Sequence, residues 1–381
     1  MRGMTDNVAV IGGSSAGLLT AHLLARRGLR VQVLEGSDEL DPAPRSLIVT
    51  SRMRDLLGPL CDQAVVNEIR RFELFTDGRR ATVELERPDL VVERSVLNRV
   101  LAQQAQSSGA QIVPGRRFQG LEPTGSALTI NLERGRGGPL EEVSAKVVIG
   151  ADGAFSRVAI AAGWSRQPTV PLVQAVVQLP KDMSPDTSRV WFIPEETPYF
   201  YWLIPDSPTR GVLGLIGENG PATRQSLERF LDRRGLTPIE FQSARIPVYT
   251  RWTPVHRQVG DGHVYLVGDA GGQVKVTTVG GIVTGFRGAL GVAEAILSGG
   301  RSRHLRVLRR ELDLHLLIRR VLHQFSQSDY SLVVDLLNAS ARKALGLYTR
   351  DDVARLLWHL CRGQPRLLLL AIRGIFSRRI H

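Results

Sequence analysis

The chain has 381 residues, 43% hydrophobic and 23% charged, with 38 glycines; this is a globular protein long enough for two joined domains, and a repetitive or disordered chain is excluded. Its two cysteines, Cys61 and Cys361, stand far apart in no ligand spacing, so neither a disulfide framework nor a metal centre is expected. Formal net charge is +12, and residues 301–381 alone hold 16 Lys/Arg against 6 Asp/Glu, so the cause of the basic excess lies in that C-terminal segment.

The N-terminus runs through Met4, Thr5 and Asp6 into an apolar run at residues 8–11, too short and too soon followed by glycine for a signal peptide. No run reaches the roughly 18–20 apolar residues of a membrane span, so a cytoplasmic protein is expected. Residues 8–11 predict a buried strand, 12–17 a small-residue turn, 18–27 a helix ending at Gly28, and 31–34 a second strand closed by Glu35, together a βαβ unit. A Pro-containing loop at 38–44 leads to Arg45. Residues 64–92 alternate in short strand-like runs, and 93–108 form an amphipathic helix ended by Gly109. Hairpin-like strands are expected around 111–114, 127–132 and 143–149. Residues 165–254, rich in tryptophan and proline with one helix near 222–234, predict a second, mostly antiparallel sheet lying over a pocket. Residues 264–267 return to a buried strand, 285–297 are helical, and everything readable after 301 is helical.

Three blocks carry the chemistry. In the first, a tight turn follows the strand and a helix N-terminus presents free N–H groups to phosphate, which needs little side chain at Gly12, Gly13, Ser14, Ser15, Ala16 and Gly17. Gly12 and Gly17 fit the outer glycines of G-x-G-x-x-G; Ser14 replaces the middle one, and its hydroxyl can face a phosphate. Glu35 ends the second strand where a carboxylate accepts from ribose hydroxyls, which disfavours a phosphorylated ribose there. In the second block an apolar strand runs into Gly150, Asp152 and Gly153, with the carboxylate near ribose and diphosphate, although Asp-Gly after a strand is also an ordinary turn. In the third, a strand ends at Gly268 and Asp269, a carboxylate suited to ribityl hydroxyls. Glycine-rich residues up to Gly280, Gly281 and Ile282 then open a helix whose N–H groups suit the flavin N1–C2 carbonyl. The three blocks together imply a FAD site.

With these blocks in order, residues 8–300 resemble the FAD-dependent 4-hydroxybenzoate hydroxylase superfamily. The third block, through Gly268, Asp269, Ala270, Gly272, Val274, Thr277, Thr278, Gly280, Gly281 and Ile282, is most similar to the geranylgeranyl reductase family. The resemblance implies that Arg45 and Arg94 line the FAD pyrophosphate; surface arginines are the alternative. It also implies an aromatic strand walling an isoprenoid tunnel, matched here by Trp202 and Pro205, with Phe200 and Ile204 as substitutes; the same aromatics also suit a sheet core. That strand is similar to one in flavin-dependent halogenases as well, but no lysine precedes Lys146, which argues against halogenation. The cysteine that archaeal members carry near the flavin has no counterpart before Cys61, so no catalytic proton donor is assigned.

The expected fold is α/β. It comprises a Rossmann-type, glutathione-reductase-like FAD-binding domain (1–60, 93–164 and 255–300), an antiparallel β-sheet substrate domain (61–92 and 165–254) and a C-terminal basic helical region (301–381). The leading function is hydride transfer from reduced flavin to a C=C bond of an isoprenoid or other lipid-like substrate, with NAD(P)H or another reductant as donor. The alternatives are an NAD(P)H-dependent monooxygenase of an aromatic or polyketide-like compound, and a non-redox prenyl-binding carrier. Residues 367–380 place Leu368, Ile372, Ile375 and Phe376 on one helix face with Arg373, Arg378 and Arg379 mostly elsewhere. Such a helix suits peripheral contact with anionic lipid, or packing on the body with its arginines exposed. Nucleic acid is not expected as a partner.

Overall fold

The computed structural model describes residues 7–40 and 43–376, and among these the strands form three sheets. The first has six strands in the order His256–Val259, Gly262–Leu266, Val147–Gly150, Asn7–Ile11, Arg30–Leu34 and Gln111–Val113. All neighbours are parallel except the edge strand His256–Val259. Parallel strands covered on both faces must be apolar throughout, and Asn7–Ile11 shows how. Val8 and Val10 pack under the helices Ser15–Ala25, Arg94–Ser107 and Ile282–Leu297, while Ala9 and Ile11 face Leu128, Ile130 and Leu132 of a three-stranded sheet.

That small sheet is the meander Arg116–Thr124, Ala127–Arg134 and Leu140–Ala145. It corrects the expectation of hairpins around 111–114 and 143–149. Gln111–Val113 pairs in parallel with Arg30–Leu34, and Val147–Gly150 lies between two strands of the parallel sheet. Each is an apolar run beside a turn, and such runs read alike whether the partner is the next strand or a distant one.

The third sheet has eight strands, in the order Pro238–Pro247, Thr169–Gln178, Arg210–Ile216, Tyr201–Pro205, Thr187–Trp191, Val65–Thr76, Arg79–Glu93 and Ser46–Val49. The short runs expected in 64–92 are two long strands joined by Asp77 and Gly78, at φ 39° and 73°, the two-residue turn that the right-handed twist of a hairpin favours. Ser46–Val49, grouped above with the first domain, pairs with the far end of Arg79–Glu93 and so joins this sheet. Beyond residue 301 the described residues form five helices, Arg303–Leu322, Gln327–Leu336, Ala339–Leu347, Val353–Gly363 and Pro365–Phe376. Leu308 and Leu312 of the first pack on Tyr249 and Val276. In the last helix Leu370 is buried, whereas Leu368 and Ile372, one turn apart, are exposed. The side chains of Ile375 and Phe376, and residues Arg378 and Arg379, lie outside the described residues, as do Met4, Thr5 and Asp6.

Candidate functional site

Gly12 leaves the strand Asn7–Ile11 at φ 101°, and a Cβ placed on it would meet the Ala151 carbonyl oxygen at 2.6 Å. Only glycine turns the chain here. Ser14 caps the helix Ser15–Ala25, its hydroxyl accepting from the Gly17 amide at 3.2 Å, so that oxygen is already engaged at the helix start. Gly17 departs from its assignment to a ligand surface. It does not reach the cavity, and its missing Cβ, which would lie 2.7 Å from Ala151 Cβ, lets helix and strand touch. The Glu35 carboxylate folds back, accepting from Gly13 N at 2.6 Å and Ser37 N at 2.8 Å while still lining the cavity. Beneath the turn, Ser15 donates to Asn98 Oδ1, and Asn98 Nδ2 donates to the Gly13 carbonyl at 3.2 Å. Asn98 was not singled out from the sequence, where it is one polar position on an amphipathic helix.

The second and third blocks meet the first. The Gly12 Cβ position lies 3.0 Å from Asp152 Cα, and a Cβ on Gly268 would lie 3.1 Å from Ala16 Cβ. Asp152 lines the cavity, but its carboxylate turns away to accept from the Ser156 hydroxyl and from the Arg157 and Val158 amides, capping the short helix Arg157–Ala161. Burial pushes its carboxyl up, against those hydrogen bonds. Asp269 keeps its carboxylate on the cavity; burial pushes it up to about 6, opposed by the Arg94 charge. Gly281 sits beside it, with a built Cβ 3.0 Å from Asp269 Oδ1, and begins the helix Ile282–Leu297 without a side-chain cap. The free N–H groups of Ile282 and its neighbours therefore open on the cavity. Arg45 and Arg94 line it too. Burial holds both guanidinium groups below their usual range, and the Arg94 Nε is buried without a partner among the described residues.

The cavity holds about 1050 Å3, above the roughly 300–1,000 Å3 of single small-molecule sites. One half lies along the three blocks. The other is an apolar chamber between the eight-stranded sheet and the C-terminal region, walled by residues such as Leu74, Val190, Phe200, Trp202, Leu345 and Leu356. Strand parity decides which aromatics face it. Phe200, Trp202 and Ile204 line the chamber, while Tyr201 packs behind the sheet on Phe230 with ring centroids 4.2 Å apart. Pro205, expected in the pocket, shares the parity of Tyr201 and does not line it. Cys61 is buried elsewhere, its thiol on the Gly58 carbonyl. Lys275, Arg350 and Phe72 also line the cavity and were missed from the sequence.

Two helix starts, a glycine cradle that a Cβ would close, an unpartnered Arg94 Nε and the Asp269 carboxylate suit a dinucleotide that ends in a flavin. Comparison with known proteins agrees. A digeranylgeranylglycerophospholipid reductase of Methanopyrus kandleri is 30% identical over 299 residues, 74% of this chain and 77% of that protein. The crystal structure of a geranylgeranyl bacteriochlorophyll reductase-like protein from Thermoplasma acidophilum superposes with a TM-score of 0.80 at 19% identity, covering 97% of this chain and 99% of the other. The flavin-dependent monooxygenase PieE, solved with FAD and substrate, shares the fold at TM-score 0.63 and 18% identity, covering 97% of this chain and 72% of its own. Residues 5–301 match the FAD binding domain family; the chain belongs to that family and, within it, to the geranylgeranyl reductases, and it is a FAD-dependent oxidoreductase.

Proposed function

We propose that this enzyme saturates a C=C bond of an isoprenoid or similar lipid-like chain, with NAD(P)H or another reductant supplying electrons. Bound FAD supplies the hydride; the protein's own residues bind, orient and exclude water. Gly12, Gly13, Ser14, Ser15 and Ala16, with Arg45 and Arg94, would hold the diphosphate. Glu35 would take ribose hydroxyls on the lone pairs that Gly13 and Ser37 leave free. Asp269, Gly280, Gly281 and Ile282 would hold the flavin end, where the uncapped helix start favours negative charge. Asp152 contributes backbone and shape rather than its carboxylate.

The observation that carries the reading is the continuity of the cavity from the glycine turns into a chamber whose sheet wall is mostly apolar, including Phe200 and Trp202, with Gln174, Ser188 and Arg245 its polar members. Such a wall suits a long hydrocarbon better than a polar ring. The test is to reduce the FAD-loaded protein without oxygen, add a geranylgeranyl lipid, and look by mass spectrometry for product carrying two extra hydrogens per bond. No saturation, together with substrate-stimulated oxygen uptake in air, overturns the proposal in favour of a monooxygenase.

A lipid substrate also bears on the basic tail. Trp358 is 67% exposed and Leu369 64%, with Leu368 and Ile372 beside Leu369 on the surface. Arg355, Arg362 and Arg366 belong to the same two helices. Exposed apolar groups among cations suit an anionic bilayer surface. Among the described residues no helix is long and apolar enough to cross a membrane, so the contact would be peripheral. Deleting residues 364–381 is expected to lower binding to phosphatidylserine liposomes and to spare FAD; unchanged liposome binding removes this part of the proposal.

A further inference from the structure

Lys275 is 5% exposed, lines the cavity, and sits on the third block, where its backbone amide bonds the Gly280 carbonyl at 3.2 Å. Its Nζ and the Thr278 hydroxyl oxygen lie 3.8 and 3.7 Å from a Cβ built on Gly280, so both flank the turn that precedes the helix Ile282–Leu297. The ammonium donates to Asp351 Oδ1, whose other oxygen accepts from the Thr50 hydroxyl; Asp351 is 1% exposed. Asp351 is the acceptor that the described residues offer Lys275. An ammonium has three N–H groups, so two are left for the cavity.

A buried ion pair is poor value as a stabiliser, since hydrophobic residues of the same volume often do as well. Here Lys275 lines the cavity together with Thr50, Thr278 and Arg350, among the polar members of an otherwise largely apolar chamber. Once an apolar chain fills the chamber and displaces water, the two remaining N–H groups need an acceptor, and leaving them without one is costly. The substrate and the flavin held at Gly280 and Gly281 are the two partners in position to supply it, and probes titrated into the FAD-loaded protein tell them apart.

We infer that Lys275, fixed in place by Asp351, is a specificity-determining residue that hydrogen-bonds an acceptor oxygen of the substrate at the Gly280 end of the chamber. The substrate is then an apolar chain bearing a carbonyl or phosphate oxygen at that end, not a plain hydrocarbon. This rests on the isoprenoid reading above for the apolar part alone.

The experiment titrates the FAD-loaded protein by calorimetry with four probes: a C20 isoprenoid hydrocarbon, a geranylgeranyl-substituted 1,4-quinone, geranylgeranyl diphosphate, and menadione, a quinone without a prenyl chain. At least one prenyl probe carrying oxygen is expected to bind about 10- to 100-fold more tightly than the hydrocarbon, the range of a hydrogen bond to a charged group. The quinone and diphosphate arms distinguish carbonyl from phosphate. In Lys275→Gln/Asp351→Asn, which removes both charges and leaves amides able to pair, the preference falls to within about threefold. Should that variant not load FAD, Lys275→Gln alone is held to the same outcome. Equal binding of hydrocarbon and oxygen probes by the wild type, or an undiminished preference in the variant, overturns the inference. Binding of menadione that depends on Lys275, with no binding of the hydrocarbon, keeps the role of Lys275 and sinks the isoprenoid reading instead.

Discussion

Asp269 is the residue on which burial and charge act most directly at the site. Its carboxyl titrates near 6 in the fold against 3.8 in the unfolded chain. Folding therefore takes up a proton, and stability present below the unfolded value is lost as pH rises through the folded one. Asp269→Asn is expected to raise the melting temperature of the FAD-free protein above pH 6, with the difference vanishing toward pH 4, as scanning calorimetry across pH would show. The same change should weaken FAD binding by roughly tenfold or more, since it removes a charged acceptor. Gly12→Ala fails for another reason. Its methyl would meet the Ala151 carbonyl at 2.6 Å from a backbone at φ 101°, so a loss of about 2–3 kcal/mol and of copurifying flavin absorbance is expected. Gly12, Glu35 and Asp269 were legible in the sequence because each need is local, a turn or a carboxylate at a strand end. Lys275 with Asp351, 76 residues apart, and Thr50 with Asp351, 301 apart, were not, because nothing in either neighbourhood marks the partner.

At the scale of elements, the strand Tyr201–Pro205 separates two jobs by the parity of its side chains. Trp202 faces the chamber and Leu203 faces the core behind the sheet. Leu203→Ala is expected to cost about 2–5 kcal/mol in chemical denaturation with prenyl binding kept in the folded fraction. Trp202→Ala should cost about 3–5 kcal/mol, since Trp202 is buried too, but in the folded fraction it should also shift the preferred chain length upward, measured by comparing prenyl probes of increasing length. The sequence marked this strand by composition, but composition does not choose a face; Pro205 was placed in the pocket although it lies on the other side. The Gly-rich turns fared better, because a strand followed by a tight small-residue turn and a helix start has few other uses. The runs at 111–113 and 147–150 became parallel strands because partners brought from far along the chain outweighed their neighbours.

The whole molecule is drawn together by the segment around Asp351. Arg350 pairs with buried Asp89 across 261 residues and stands over the Phe72 ring, while Leu345 and Leu356 close the chamber. The family match stops at residue 301, short of Leu345, Arg350, Asp351 and Leu356. The chamber proposed for the substrate is thus completed by a portion of chain outside the portion matched by the family. Two relatives alike throughout their nucleotide-binding halves could favour quite different molecules through their last eighty or so residues alone, and grafting one tail onto another body is the natural way to retune such an enzyme.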